Sequence, residues 1–186
     1  MKSKYPSWQL WVQDKAECKR WLDRYVDRRV LRKSTLPVRE HLGKAEHNMS
    51  FSNWLVDMHA DQIPKVFGHD ENFYDWAITS YYYSIYHQAL ALISVHGLSS
   101  KSHSATLCAV IYYFFHADRS LTEKDIELLS SYLDEEDIEA FSKTKSLREQ
   151  VCYGVSREFE RDILFEARSN AERFMGKVRV ILSHPR

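Results

Sequence analysis

Apolar residues recur three and four positions apart through most of this chain, and that spacing admits helices and little else. From Trp8 to about Lys33, Trp8, Trp11, Val12, Leu22, Tyr25, Val26 and Val30 keep the helical interval, with Lys and Arg between them for the wet side. Thr35 and Pro37 start a second helix carrying Val38, Leu42, Ala45, Met49, Leu55 and Met58. IPKVFGHDEN, with Pro64 and Gly68, is the clearest break. A third helix from about Asn72 carries Phe73, Trp76, Ala77, Tyr81, Ile85, Ala89 and Leu92, is apolar over a wide arc, and ends at Gly97. Ser100 or Ser102 caps a fourth with Leu107, Val110, Ile111 and Phe114, and Thr122, Glu123 and Asp125 open a fifth that runs through Leu133. After the polar DEEDIE and KTKS, a last helix is expected from about Lys145 to Leu182, with Gly154 able to bend it.

With 5 Gly and 4 Pro in 186 residues, turns are scarce and no strand pattern competes. The expected fold is therefore all-α: an up-and-down bundle of residues 35–186 with a basic N-terminal helix, residues 1–34, packed on it. Cys18, Cys108 and Cys152 are odd in number and lack CxxC spacing, which supports neither a disulfide framework nor a zinc ribbon and fits a reducing, cytoplasmic setting. The charged N-terminus has no apolar signal core, and no segment approaches a membrane-spanning apolar run; no membrane is expected.

The net charge of zero hides an asymmetry. Residues 1–33 hold ten Lys or Arg against four acids, while 121–140 hold eight acids against one lysine. A basic first helix suits phosphate or an acidic partner, and equally suits a solvated face balanced elsewhere.

A few polar residues carry chemistry. Lys101 and His103 follow Gly97 and precede a helix N-terminus, whose free amides favour anions, so the KSHS turn is able to hold a phosphate. His87 lies beside Tyr83 and Tyr86 on an apolar helix, where it is either a ligand contact or a core histidine satisfied by a hydroxyl or carbonyl. Tyr81, Tyr82 and Tyr83, with Tyr112 and Tyr113, suit base stacking or, more simply, core and interface packing. No Glu-x-x-His pair or H-E-x-x-H occurs, so no metal or other cofactor is expected. G-x-S-x-G, P-loop and dinucleotide fingerprints are absent too.

Five segments together resemble one family. KAEHNMSF, YDWAITSYYYSIYHQALALISVHGL, KSHSATL, LREQVCYGVS and ARSNAERFMGKV, spread over roughly residues 40–182, are similar to the HEPN family (higher eukaryote and prokaryote nucleotide-binding domains), in the branch with a YYxxYHA helix and a KSH turn. The resemblance implies a helical bundle that pairs as a homodimer, often beside a nucleotidyltransferase partner, and that handles nucleotide or RNA. Many members are metal-independent RNases using an Arg-x4-6-His motif, in which a permanently charged fork holds phosphate and a group titrating near neutrality moves the proton. Arg148 stands where that arginine is expected, but Tyr153 stands where the histidine would be. A phenol that titrates near about 10 is a poor base at neutral pH. Another formal match, Arg179 to His184, sits at the chain end.

The reading that follows is a binding protein for nucleotide, RNA or a partner, not strongly catalytic, with Lys101, His103, His87, Tyr83 and Arg148 as ligand contacts. A toxin-like RNase using Arg148 and Tyr153, and a bundle holding a metal or small ligand, are the alternatives. On a helix Arg148 and Tyr153 stand about 140° apart modulo a turn, so they share a face only loosely. The binding reading predicts that Arg148→Ala weakens RNA or nucleotide binding about tenfold, the loss of roughly one charged hydrogen bond. Tyr153→Phe leaves it nearly intact, and Tyr153→His introduces weak cleavage. A filter-binding titration and a chelator-treated cleavage assay check the set.

Overall fold

A computed structural model describes residues 7–34, 36–69, 71–133 and 157–183, the side chains of 157–160 excepted. In order these form α1 (Trp8–Gln13), α2 (Lys15–Asp27), β1 (Leu31–Lys33), α3 (Val38–Met58), α4 (Gln62–Phe67), α5 (Tyr74–Ser94), β2 (Leu98–Ser100), α6 (His103–Val110), a π-helical segment (Ile111–Ala117), α7 (Glu123–Leu133) and α8 (Arg157–Ser183). The chain is an all-α bundle with one minor two-stranded sheet.

The bundle is assembled around α5. Its wide apolar arc buries twelve side chains, including Ala77, Tyr81, Ile85, Ala89 and Leu92, so it needs cover on several sides. α3 and α8 run along it, and α6 and α7 close the rest. On α8 the stripe Leu164, Ala167, Ala171, Phe174, Val178 and Ile181 supplies the matching buried face.

α3 and α5 approach closely because small residues line their seam, and the seam is held by hydroxyls. Ser52 Oγ donates to the Ala77 carbonyl at 2.9 Å, Ser80 Oγ to the Asn48 carbonyl at 3.0 Å, and Ser84 Oγ to the Ala45 carbonyl at 2.8 Å. These pairs step in opposite directions along the two helices, as an antiparallel contact requires. Tyr81 adds a fourth tie by donating to Asn53 Oδ1, and burial pushes its phenol up to about 12, which keeps that proton in place. Gln88 carries the network to α8, donating to Ser84 Oγ at 3.1 Å and to the Ala171 carbonyl at 3.4 Å.

The N-terminal layer differs from the single helix expected over Trp8–Lys33. Asp14 accepts from the amides of Ala16 and Glu17, so it caps a new helix where α1 ends, and α2 stops at Asp27. Leu31–Lys33 is instead extended and pairs antiparallel with Leu98–Ser100, in register Leu31 with Ser100. Three-residue strands are too short to show alternation, so no sequence pattern announced them. Trp11, Trp21 and Tyr25 pack as an aromatic triad with centroids 5.8–6.4 Å apart. Behind them the free, buried Cys18 and Cys108 meet, Sγ to Sγ 4.0 Å, each thiol within 3.6 Å of the other's carbonyl. Two cysteines distant in sequence thus share one site between α2 and α6.

The fourth predicted helix begins as expected at Ser102 but widens to π geometry at Ile111, and the Asp118 amide still reaches back five residues to the Tyr113 carbonyl at 2.9 Å. The expected start of the last helix near Lys145, and Gly154, lie outside the described residues.

The seam makes a sharp stability prediction. Ser84→Ala removes a hydroxyl that serves both Ala45 and Gln88 and costs about 1–3 kcal/mol. Ser84→Leu, although more apolar, adds about 1–3 kcal/mol of overpacking to that loss. Urea denaturation of the two variants against the parent chain gives the order; a Leu variant more stable than the Ala variant would contradict the close approach.

Candidate functional site

The KSHS turn is built by backbone geometry. Gly97 adopts φ 68°, a left-handed conformation that lets the chain leave α5 and turn into β2. Pairing with β1 then holds Ser100, whose Oγ accepts the Ser102 amide at 2.9 Å. Ser102 caps α6: its Oγ accepts the Ala105 amide at 3.3 Å, and its carbonyl accepts the Thr106 amide and hydroxyl at 3.1 and 2.9 Å. Lys101 therefore stands exposed one position before the cap, and His103 is the first residue of the helix. The positive end of α6 and a lysine share one corner of the bundle.

Against this corner α5 places two tyrosines one turn apart. Tyr82 Oη lies 3.2 Å from both ring nitrogens of His103, and the Tyr86 ring meets the imidazole edge-on at 4.4 Å. Tyr86 Oη also donates to the Ser100 carbonyl at 3.2 Å, which ties the helix to the turn. Burial raises the titration of both phenols, so they act as neutral donors. Tyr83, half exposed, stands edge-on to Tyr82 at 5.3 Å and offers an open ring face beside them. On the far side Tyr132 of α7, fixed by a 3.2 Å hydrogen bond from Asn170, closes on Tyr82.

His87 lies elsewhere than its neighbours in sequence suggest. It faces α3, stacked on His41 with centroids 5.8 Å apart and planes 28° from parallel. Nδ1 of His87 and Nε2 of His41 are both buried without a hydrogen-bond partner. Burial first, then His41 and Lys44, pushes the His87 pKa down to about 4; burial likewise lowers His41, against a smaller upward pull from Glu40. Both rings are therefore neutral at pH 7. Through Tyr86, 5.9 Å from His87, the pair still touches the His103 corner.

Of the residues singled out from sequence, Lys101, His103 and Tyr83 gather at one corner, and His87 stands one ring away from it. Arg148 and Tyr153 lie outside the described residues. Arg179, of the second formal motif, donates to Glu46 Oε1 at 2.7 Å as a surface pair between α8 and α3, and His184 lies outside the described residues. Among the described residues no group of three or more His, Cys, Asp or Glu side chains is placed to hold a metal ion, and no helix is long and apolar enough to cross a membrane. Sequence reasoning missed Tyr82 and Tyr86 as the partners of His103 and His41 as the partner of His87. The four-residue spacing of Tyr82 and Tyr86 was the available signal for the first.

The stacked imidazoles predict a pH dependence. The unfolded chain titrates its histidines near about 6.5, whereas His87 in the folded chain titrates near about 4. As pH falls the unfolded state takes up the proton first, so the stability these rings contribute is full above about pH 6.5 and is lost as pH drops toward about 4. Urea unfolding at steps through that window falls more steeply for the parent chain than for His87→Gln; parallel curves would refute the assignment.

Over 106 residues the chain is 26% identical to a UPF0332 protein of Archaeoglobus fulgidus, a stretch that covers 57% of this chain and 74% of that protein. No family model matches the chain, and no solved structure matches it.

Proposed function

We propose that this chain is a HEPN-like bundle that binds the phosphate of a nucleotide or of single-stranded RNA at the α5–α6 corner, and that it works by binding more than by catalysis. The observation that supports this most is the juxtaposition of the exposed Lys101 with the N-terminus of α6 and the open ring of Tyr83. A cation and a helix N-terminus suit phosphate, and an exposed ring suits a base. His103, packed between Tyr82 and Tyr86, orients the first turn. The neutral phenols are donors, so the corner favours holding an anion over taking a proton from a hydroxyl. The similarity of the HEPN-like segments adds a second copy and a nucleotidyltransferase as partners, within a cytoplasmic setting. Arg148 belongs to the same reading as a further phosphate contact. The RNase alternative rests on Arg148 and Tyr153 alone.

Fluorescence anisotropy with a labelled single-stranded RNA and with a labelled adenine nucleotide tests the site. Lys101→Ala weakens binding about tenfold and flattens its salt dependence. Tyr83→Ala costs about 1–3 kcal/mol with RNA, the worth of one stacked base, and less with inorganic phosphate as competitor. Binding unchanged in both variants would place the ligand elsewhere. Robust chelator-resistant RNA cleavage that disappears in Arg148→Ala would favour the RNase reading.

A further inference from the structure

At the end of the α3–α5 seam opposite His41 and His87, the chain leaves an apolar groove of about 390 Å³ between the last turns of α3, the short α4 and the first turn of α5. Phe51, Trp54, Val66, Phe67 and Trp76 line it and are 42–69% exposed, an open cluster of large apolar side chains that a solvated surface seldom carries without a partner. Gln62 is the one polar side chain among the described residues that line it. A small-molecule pocket ordinarily offers several converging polar groups, so the groove suits an apolar face better than a metabolite.

The groove is preformed. His59 accepts the Phe73 amide at Nε2, 2.8 Å away, so its proton sits on Nδ1, which donates to the Leu55 carbonyl at 2.7 Å. The ring also stacks on Tyr74 at 4.4 Å. One imidazole thus clamps the end of α3 to the start of α5. Gly68 ends α4 at φ 97°, a conformation open to glycine, and the chain returns so that Phe67 packs edge-on against Phe73 at 5.1 Å.

Its surroundings are acidic. Residues 51–76 hold five Asp or Glu against one lysine, in a chain whose net charge is zero, so the negative charge is local. That lysine, Lys65, is already paired with Asp61. His59 is neutral by its hydrogen bonding, and the C-termini of α3 and α4 add their negative dipole ends. A second copy seated here through the same patch would set acidic rim against acidic rim, and an anionic membrane or nucleic acid would be repelled.

We propose that this groove receives a basic amphipathic helix of a different protein, with apolar side chains at i, i+3 or i+4 and i+7 entering between Trp54, Phe67 and Trp76 and Lys or Arg facing the acidic rim. Two synthetic 18-residue helical peptides with one shared Leu/Phe stripe test it, one flanked by Lys and Arg, the other by Glu. Calorimetry and the chain's own tryptophan emission read the binding. The basic peptide binds at least tenfold tighter than the acidic one, and added salt weakens it. Trp54→Ser with Phe67→Ser abolishes the difference while circular dichroism melting stays unchanged, because both side chains are exposed. Glu71→Lys, which leaves the apolar floor intact, narrows the preference between the peptides. Equal binding of both peptides, or binding of neither, overturns the proposal. So does a doubled mass in light scattering that returns to one chain in the double variant, since a second copy would then be the occupant. RNA binding at the α5–α6 corner is a separate readout that this double variant leaves unchanged.

Discussion

Three serine hydroxyls set the distance between α3 and α5, and the rest of the bundle is arranged around that distance. Ser52, Ser80 and Ser84 each give a proton to a carbonyl of the facing helix. Each such bond satisfies a buried hydroxyl and fixes the register of one helix on the other, which apolar contact alone does not do. The same spacing continues to both ends of the seam. At one end the next step is the His41–His87 stack, and at the other the imidazole of His59 bridges to Phe73. Three histidines therefore owe their surroundings to the serines between them.

The candidate site divides its work between two kinds of residue. Tyr82, Tyr86, Ser100 and Ser102 hold one another and His103, and burial keeps the phenols protonated. Lys101 and Tyr83 face outward and are left to meet a ligand. A rigid polar frame below a few exposed groups places charge without the entropy cost of ordering it on binding. The mini-sheet contributes by anchoring the turn to the N-terminal layer, since Leu31 pairs with Ser100.

The long helices were legible because their apolar residues repeat over many turns: Val38–Met58 and Tyr74–Ser94 lie close to the bounds that spacing alone implied. The corner was legible as well, since Gly97, Ser102 and the basic words of the turn are local signals. What escaped has no periodic signature. A serine on a buried seam looks the same in sequence as one on a wet face, so the hydroxyl ladder was invisible. Asp14 was one acid among charged residues until its side chain was seen to cap two amides. The widening at Ile111 changes hydrogen-bond partners without changing which residues are apolar. His87 was assigned by its neighbours on α5, but the residue that decides its chemistry is His41 on another helix.

Cys18 and Cys108 sit where the N-terminal layer meets the bundle, both wholly buried, each thiol turned toward the other's carbonyl. Burial holds the Cys108 thiol well above its ordinary range, so little thiolate forms and a reagent finds neither sulfur while the interface is shut. Their modification thus requires α2 to lift from α6. The rate at which a thiol reagent reaches this pair is a clock for that opening, and it reports how firmly the first helices belong to the fold, independently of any ligand.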